Sequence, residues 1–201
     1  MRVMFLIILF GMLGIAGFLI FSVRTVTHDP NVWHVEPLQA PASATPNDYR
    51  VALTEFTDQP VNMPAPIYEA DARTLAQAFD LFVMAQPRVD RVAGSVEEAW
   101  ITYVQRTETL QMPDYISVRF YDLEPVAPEA DPAAPAEGTQ SDEGAAEGEA
   151  GAETAEQPAP VAAPDRATIA IYSRSRFGYG DMGVNEARVT SWLQSLASFE
   201  E

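Results

Sequence analysis

The sequence contains no cysteine and no lysine, and its only histidines are His28 and His34. Without cysteine there is no disulfide framework, no thiolate metal site and no cysteine nucleophile. With both histidines near the start of the chain, no histidine base stands beside a nucleophile further on, so Ser173 and Ser175 lack a partner for acyl-transfer chemistry. The missing lysine leaves all 12 basic residues as arginine against 29 acidic ones, a net charge of −17. Such a chain is repelled by nucleic acid and by anionic head groups unless its arginines cluster. No nucleic-acid partner is expected, and no cofactor or metal. Gly178, Gly180 and Gly183 do not have the G-x-G-x-x-G spacing of a dinucleotide site.

One long apolar run is present. Residues 3–23 carry no charged side chain and consist mainly of Leu, Ile, Phe, Val and Met. As a helix, 21 residues at about 1.5 Å each match a hydrocarbon core about 30 Å thick. The run is longer than the apolar region of a cleaved signal peptide, and residues 21–26 offer no small-x-small cleavage site. A retained anchor over residues 1–24 is therefore expected, with the lipid bilayer as its partner through residues 3–23. Gly11, Gly14 and Gly17 recur every three residues, which is not the four-residue G-x-x-x-G spacing of close helix pairs. Arg2 and Arg24 nearly balance each other at the two ends. The acidic remainder then favours N-in, C-out.

Beyond the anchor, residues 25–70 contain Pro30, Pro37, Pro41, Pro46, Pro60, Pro64 and Pro66. That density prevents long helices and predicts an extended stalk lying against the domain. Asp71 opens a helical pattern with Leu75, Ala78, Phe79, Phe82 and Val83 on one stripe, and Pro87 closes it. Strands are read at 88–93, 100–111, 115–123 and 168–176 from their alternation. A glycine-rich bend follows, and Asn185 is placed to cap a last helix carrying Val189, Trp192, Leu193, Leu196 and Phe199. Between the third and fourth strands, residues 125–164 hold nine carboxylates, no arginine and no aromatic residue. Such a composition cannot bury enough apolar surface to offset its ordering entropy, so a disordered acidic insertion is expected. The fold class is α+β: an antiparallel sheet of about four strands with two packed helices, formed by residues 71–124 and 165–201.

The C-terminal third carries a recognisable pattern. Residues 173–188 follow S-x-S-R-x-G-x-x-D-x-G-x-N-x-x-R, which resembles the signature of the bacterial family called "domain of unknown function 1499". Residues 102–106 and 112–115 resemble that family's preceding hairpin, and residues 33–37 the membrane-proximal start of its alphaproteobacterial members. The resemblance implies no activity. It does imply a bacterial chain, and with the N-in topology this means an inner-membrane protein with a periplasmic domain.

The candidate ligand-binding residues are Arg106, Asp114, Arg174, Arg176, Asp181, Asn185 and Arg188. Arg174 and Arg176 share one side of a strand by its period of two, and Asp114 and Asp181 are the carboxylates nearest to hand. Internal salt bridges pinning the glycine bend would explain such a cluster without a ligand. An anion pocket for a carboxylate, phosphate or lipid head group is the functional alternative. The leading expectation is a non-enzymatic binding or assembly module that takes a membrane protein partner or a small anionic ligand. A hydrolase using Asp114 and Asp181 and an accessory subunit of a membrane complex are the other two readings.

Overall fold

Apolar residues at alternate positions of five strands and along one stripe of two helices can leave water only by meeting each other, and that meeting forms the core. The chain is seen in a computed structural model that describes residues 1–123 and 166–200. The acidic insertion expected at 125–164 falls outside the described residues.

The first element, α1 (Arg2–Arg24), buries none of its residues. It is the one described helix long and apolar enough to cross a membrane, with a mean hydropathy of 2.8 over its best window. A single turn, α2 (Pro30–Trp33), follows, capped by Asp29, whose carboxylate accepts from the Asn31 amide at 2.9 Å. Then come β1 (Asp48–Ala52), β2 (Met63–Pro64), β3 (Ile67–Tyr68), α3 (Ala72–Met84), β4 (Val89–Ser95), β5 (Trp100–Arg106), β6 (Pro113–Leu123), β7 (Arg166–Ser175) and α4 (Val184–Leu193). A 3-10 segment, Gln194–Phe199, continues α4.

The sheet has seven strands, not about four, in the order β2-β1-β7-β6-β5-β4, with β3 also paired to β7. The three additional strands come from residues 48–68, read from the sequence as stalk. β1 pairs with the C-terminal half of β7, Val51 opposite Ile171, while β3 pairs with its N-terminal end, Ile67 opposite Thr168. The two therefore lie end to end along one edge of β7. Only β1 and β2 run parallel; the other pairs are antiparallel.

One face of the sheet is packed by α3 and α4. Ile101 and Tyr103 of β5, Ile116, Val118 and Phe120 of β6, and Ile169 and Ile171 of β7 meet Leu75, Phe79, Val83, Trp192 and Leu196 there. Phe79 sits at the centre with edge-on contacts to Phe120 and Trp192. Burying such a ring completely is worth about 2–3 kcal/mol. The helix read as opening at Asp71 does so, and Asp71 is its cap: the side chain accepts from the Thr74 amide at 2.9 Å. α3 is further tied to the sheet by the Ala72 amide, which donates to Asp122 of β6 at 2.7 Å.

The opposite face is covered by the segment that leaves α1. Trp33 stacks on Tyr115 with ring centroids 3.7 Å apart, and His34 stacks on Trp100 at 4.0 Å. Glu36 accepts from Arg119 and Tyr121, and the Tyr172 hydroxyl lies 2.9 Å from the Pro41 carbonyl oxygen. Residues 27–41 thus form a second layer laid across the sheet.

Candidate functional site

Successive side chains on a strand point to opposite faces. Asp114 is paired with Gln105 and with Ser175, so these three share the helix-packed face. Arg106, Tyr115, Arg174 and Arg176 fall on the other. The sheet therefore divides six of the seven candidate residues into two groups that never meet, and Asp181 stands apart from both in the glycine bend.

Asp114, Asn185 and Arg188 form the first group. Arg188 and Asp114 are joined at 2.5 Å with side chains 5% and 4% exposed. The remaining guanidinium donors go to Gln105 at 2.6 Å, to Asn185 at 2.7 Å and to Ser173 at 3.2 Å. Ser173 itself donates to Asn185 at 2.7 Å, and the Asn185 amide group donates to the Asn47 carbonyl oxygen at 2.9 Å and towards Ser175 at 3.3 Å. A buried charge pair in which every guanidinium nitrogen finds an acceptor is a latch, and here it joins α4, β5, β6, β7 and Asn47, the residue before β1.

Asn185 does not cap α4. Gly183 occupies the N-cap with φ 81°, and Asp181 receives the free amides, Gly183 at 3.1 Å and Asn185 at 2.8 Å. Nor does Asp181 hold an arginine. The two carboxylates of the hydrolase reading are committed separately, one to Arg188 and the other to a helix start. Among the described residues there is no grouping of three or more His, Asp or Glu that could hold a metal.

Around the exit of α1 lies the second group. Arg176 Nη1 donates to the Thr27 carbonyl at 3.0 Å and to the Tyr115 hydroxyl at 3.1 Å. Arg174 and Arg176 lie over the Trp33 ring at 4.8 and 5.3 Å. Arg174 also reaches the Val32 and Trp33 carbonyls, at 3.3 and 3.4 Å. Arg106 donates to the Gln111 carbonyl at 2.9 Å and faces His28 Nε2 at 2.8 Å.

A guanidinium can only donate, so His28 Nε2 accepts and the ring proton sits on Nδ1, which donates to the Tyr115 hydroxyl at 2.7 Å. Burial pushes the His28 pKa below its ordinary value, and Arg106 and Arg176 add to that. Burial likewise lowers Arg174, with Tyr172 and Asp48 working against it.

Ion pairing separates these arginines from others in the domain. Arg91, Arg119 and Arg188 each meet a carboxylate. Among the described residues, Arg106, Arg174 and Arg176 have none within salt-bridge range; their partners are carbonyls, a hydroxyl, an imidazole and aromatic faces.

Sequence reasoning missed Gln105, Ser173 and Asn47 in the latch and His28, Trp33 and Tyr115 at the exit. The parity of Ser173 and Ser175 against Arg174 and Arg176 was a usable signal for the first set. For the second, the sequence placed the stalk against the domain, but nothing local shows which face of the sheet residues 27–41 cover.

No curated protein and no solved structure matches the chain. The model of the family described as "Protein of unknown function (DUF1499)" matches residues 159–196, the stretch that contains β7, the glycine bend and α4, and over that stretch the chain is similar to this family.

Proposed function

We propose that the protein is a non-enzymatic, membrane-anchored module whose Arg106, Arg174 and Arg176 hold an anionic group of the phosphate or carboxylate class beside the exit of α1. The observation that carries this reading is the cluster's lack of any carboxylate within salt-bridge range among the described residues, in a chain of net charge −17. Three guanidiniums drawn to one place repel each other, and an anion between them relieves that repulsion. The same proposal puts the domain outside the cytoplasm of a bacterial cell, anchored in the inner membrane. The acidic character of everything after α1 supports that side, and an alkaline phosphatase fusion after Glu201 that stays inactive would reverse it.

Thermal unfolding of the full chain in neutral detergent micelles, with and without inorganic phosphate or phosphatidylglycerol, tests the site. The parent is expected to be stabilised by at least one of the two, and the Arg106→Gln/Arg176→Gln double variant, folded by circular dichroism, to lose that shift. A shift from phosphate alone marks a soluble ligand, and one from the lipid alone a head group. Equal shifts in parent and variant, or none in either, would overturn the proposal.

An accessory role in a membrane complex is favoured by a different feature. An open groove of about 530 Å³ runs between residues 63–66 and the outer side of α4 and the 3-10 segment, lined by Met63, Pro64, Leu193 and Ala197. Exposed apolar grooves of this kind mark protein contacts.

A further inference from the structure

The loop between β5 and β6, residues 107–112, lies against the end of α1. Arg24 Nη2 donates to the Thr109 carbonyl at 3.1 Å. Beside that contact, Leu110 and Met112 from the loop and Leu19, Ile20 and Val23 from α1 enclose a cleft of about 110 Å³. Leu19 lies four residues before Val23, about 6 Å further along the helix axis at about 1.5 Å per residue. A span that fills the hydrocarbon with residues 3–23 therefore carries this loop down to the edge of the hydrocarbon.

We infer that the β5–β6 hairpin tip is a second membrane contact, inserted at the boundary between head groups and acyl chains, with lipid chains filling the cleft against α1. The inference rests on the reading of α1 as a membrane span. Two further observations support it.

The first is the chemistry of the cleft. Its walls are Leu, Ile, Val and Met side chains, which offer a water molecule none of the polar partners it needs. Leu110 is 41% exposed with only the protein present, so an apolar surround is what this side chain lacks.

The second is the loop's backbone, whose carbonyls are mostly matched within the protein. The Thr107 carbonyl accepts from the Gln111 amide at 3.2 Å, and the Met112 carbonyl from the Thr107 amide at 2.9 Å. The Gln111 side chain donates to the Glu108 carbonyl at 3.0 Å. Arg24 and Arg106 take the carbonyls of Thr109 and Gln111. Five of the six carbonyls in 107–112 thus have a partner within the protein, whereas the amides of residues 108–110 have none among the described residues, a pattern that fits the head-group boundary, where water and head groups still supply acceptors, and not the hydrocarbon itself. Glu108 limits the depth, because a carboxylate is tolerated at the boundary and not at the bilayer centre.

The chain has no cysteine, so a single introduced one carries a label uniquely. Leu110→Cys, Leu13→Cys and Glu97→Cys would each be labelled with an environment-sensitive fluorophore. The full chain is then placed in phosphatidylcholine vesicles containing lipid spin-labelled near the glycerol end of the acyl chain. Glu97 lies in the β4–β5 turn, at the opposite end of the sheet. The expected result is a blue-shifted label at 110, quenched by the spin-labelled lipid several-fold more than the label at 97 and shielded from aqueous iodide. A label at 110 that behaves like the one at 97, while that at 13 is lipid-exposed, overturns the inference and leaves the anchor standing. A label at 13 that iodide reaches overturns both.

Discussion

Asp114 and Arg188 hold opposite charges in a place water does not reach, and each is tolerable only because the other is there. Removing one partner of such a pair strands the other, at a cost of about 3–5 kcal/mol. Asp114→Asn is expected to lower stability by that order in urea unfolding followed by tryptophan fluorescence. The Asp114→Leu/Arg188→Met pair should cost clearly less than the sum of its single changes. Arg174, part-exposed and resting on Trp33, is a different case: Arg174→Gln should cost about 1 kcal/mol, the scale of one cation–π contact. The contrast shows what a strand's period of two could and could not reveal. Alternation alone separates Ser173 and Ser175 from Arg174 and Arg176. Placing Arg188 with the serines requires knowing that α4 packs on their face, which only tertiary structure supplies.

Among the elements, the β4–β5 hairpin depends on Gly94 in a way that α4 does not depend on Gly183. Both have φ near +80°, but a Cβ on Gly94 would overlap the Trp100 carbonyl oxygen, whereas one on Gly183 meets open space. Gly94→Ala is expected to destabilise by about 3 kcal/mol or more, from strain and collision together. Gly183→Ala should cost about 1–2 kcal/mol, from the backbone conformation alone. Urea midpoints of the two variants would show the difference. Elements with strong local codes were legible in the sequence: α3 through its Asp71 cap and apolar stripe, β5 to β7 through alternation. β1, β2 and β3 were not. Pro60, Pro64 and Pro66 interrupt any alternation around β2 and β3, whose two residues each have too few positions to show a period, and β1 is a single five-residue run with no strand beside it in sequence. β1 and β3 take their identity from β7, whose edge they fill, and β2 takes its own from β1.

At the scale of the whole molecule, the histidines join the anchor's exit segment to the sheet, and both are held below their ordinary value of 6.5. For His34 the cause is burial, with Glu98 and Glu36 opposing it. A ring kept neutral in the folded protein and free to protonate in the unfolded chain gives stability that is complete above the unfolded value. That stability declines as pH falls from there towards the folded one. The urea midpoint is therefore expected to drop as pH falls below the ordinary histidine range, about 6.5, and His28→Gln should flatten that drop. The order of the strands also governs how the molecule comes into being. β7 pairs with β1, β3 and β6 and is the last strand in the chain, so Asp48 must wait for Arg174, and Asp114 for Arg188. Pairings so distant in sequence form slowly. By the time they can form, the first helix has long since emerged from the ribosome. Until β7 arrives, the earlier strands have open edges and an incompletely covered apolar face, which makes the unfinished domain a target for chaperones and proteases.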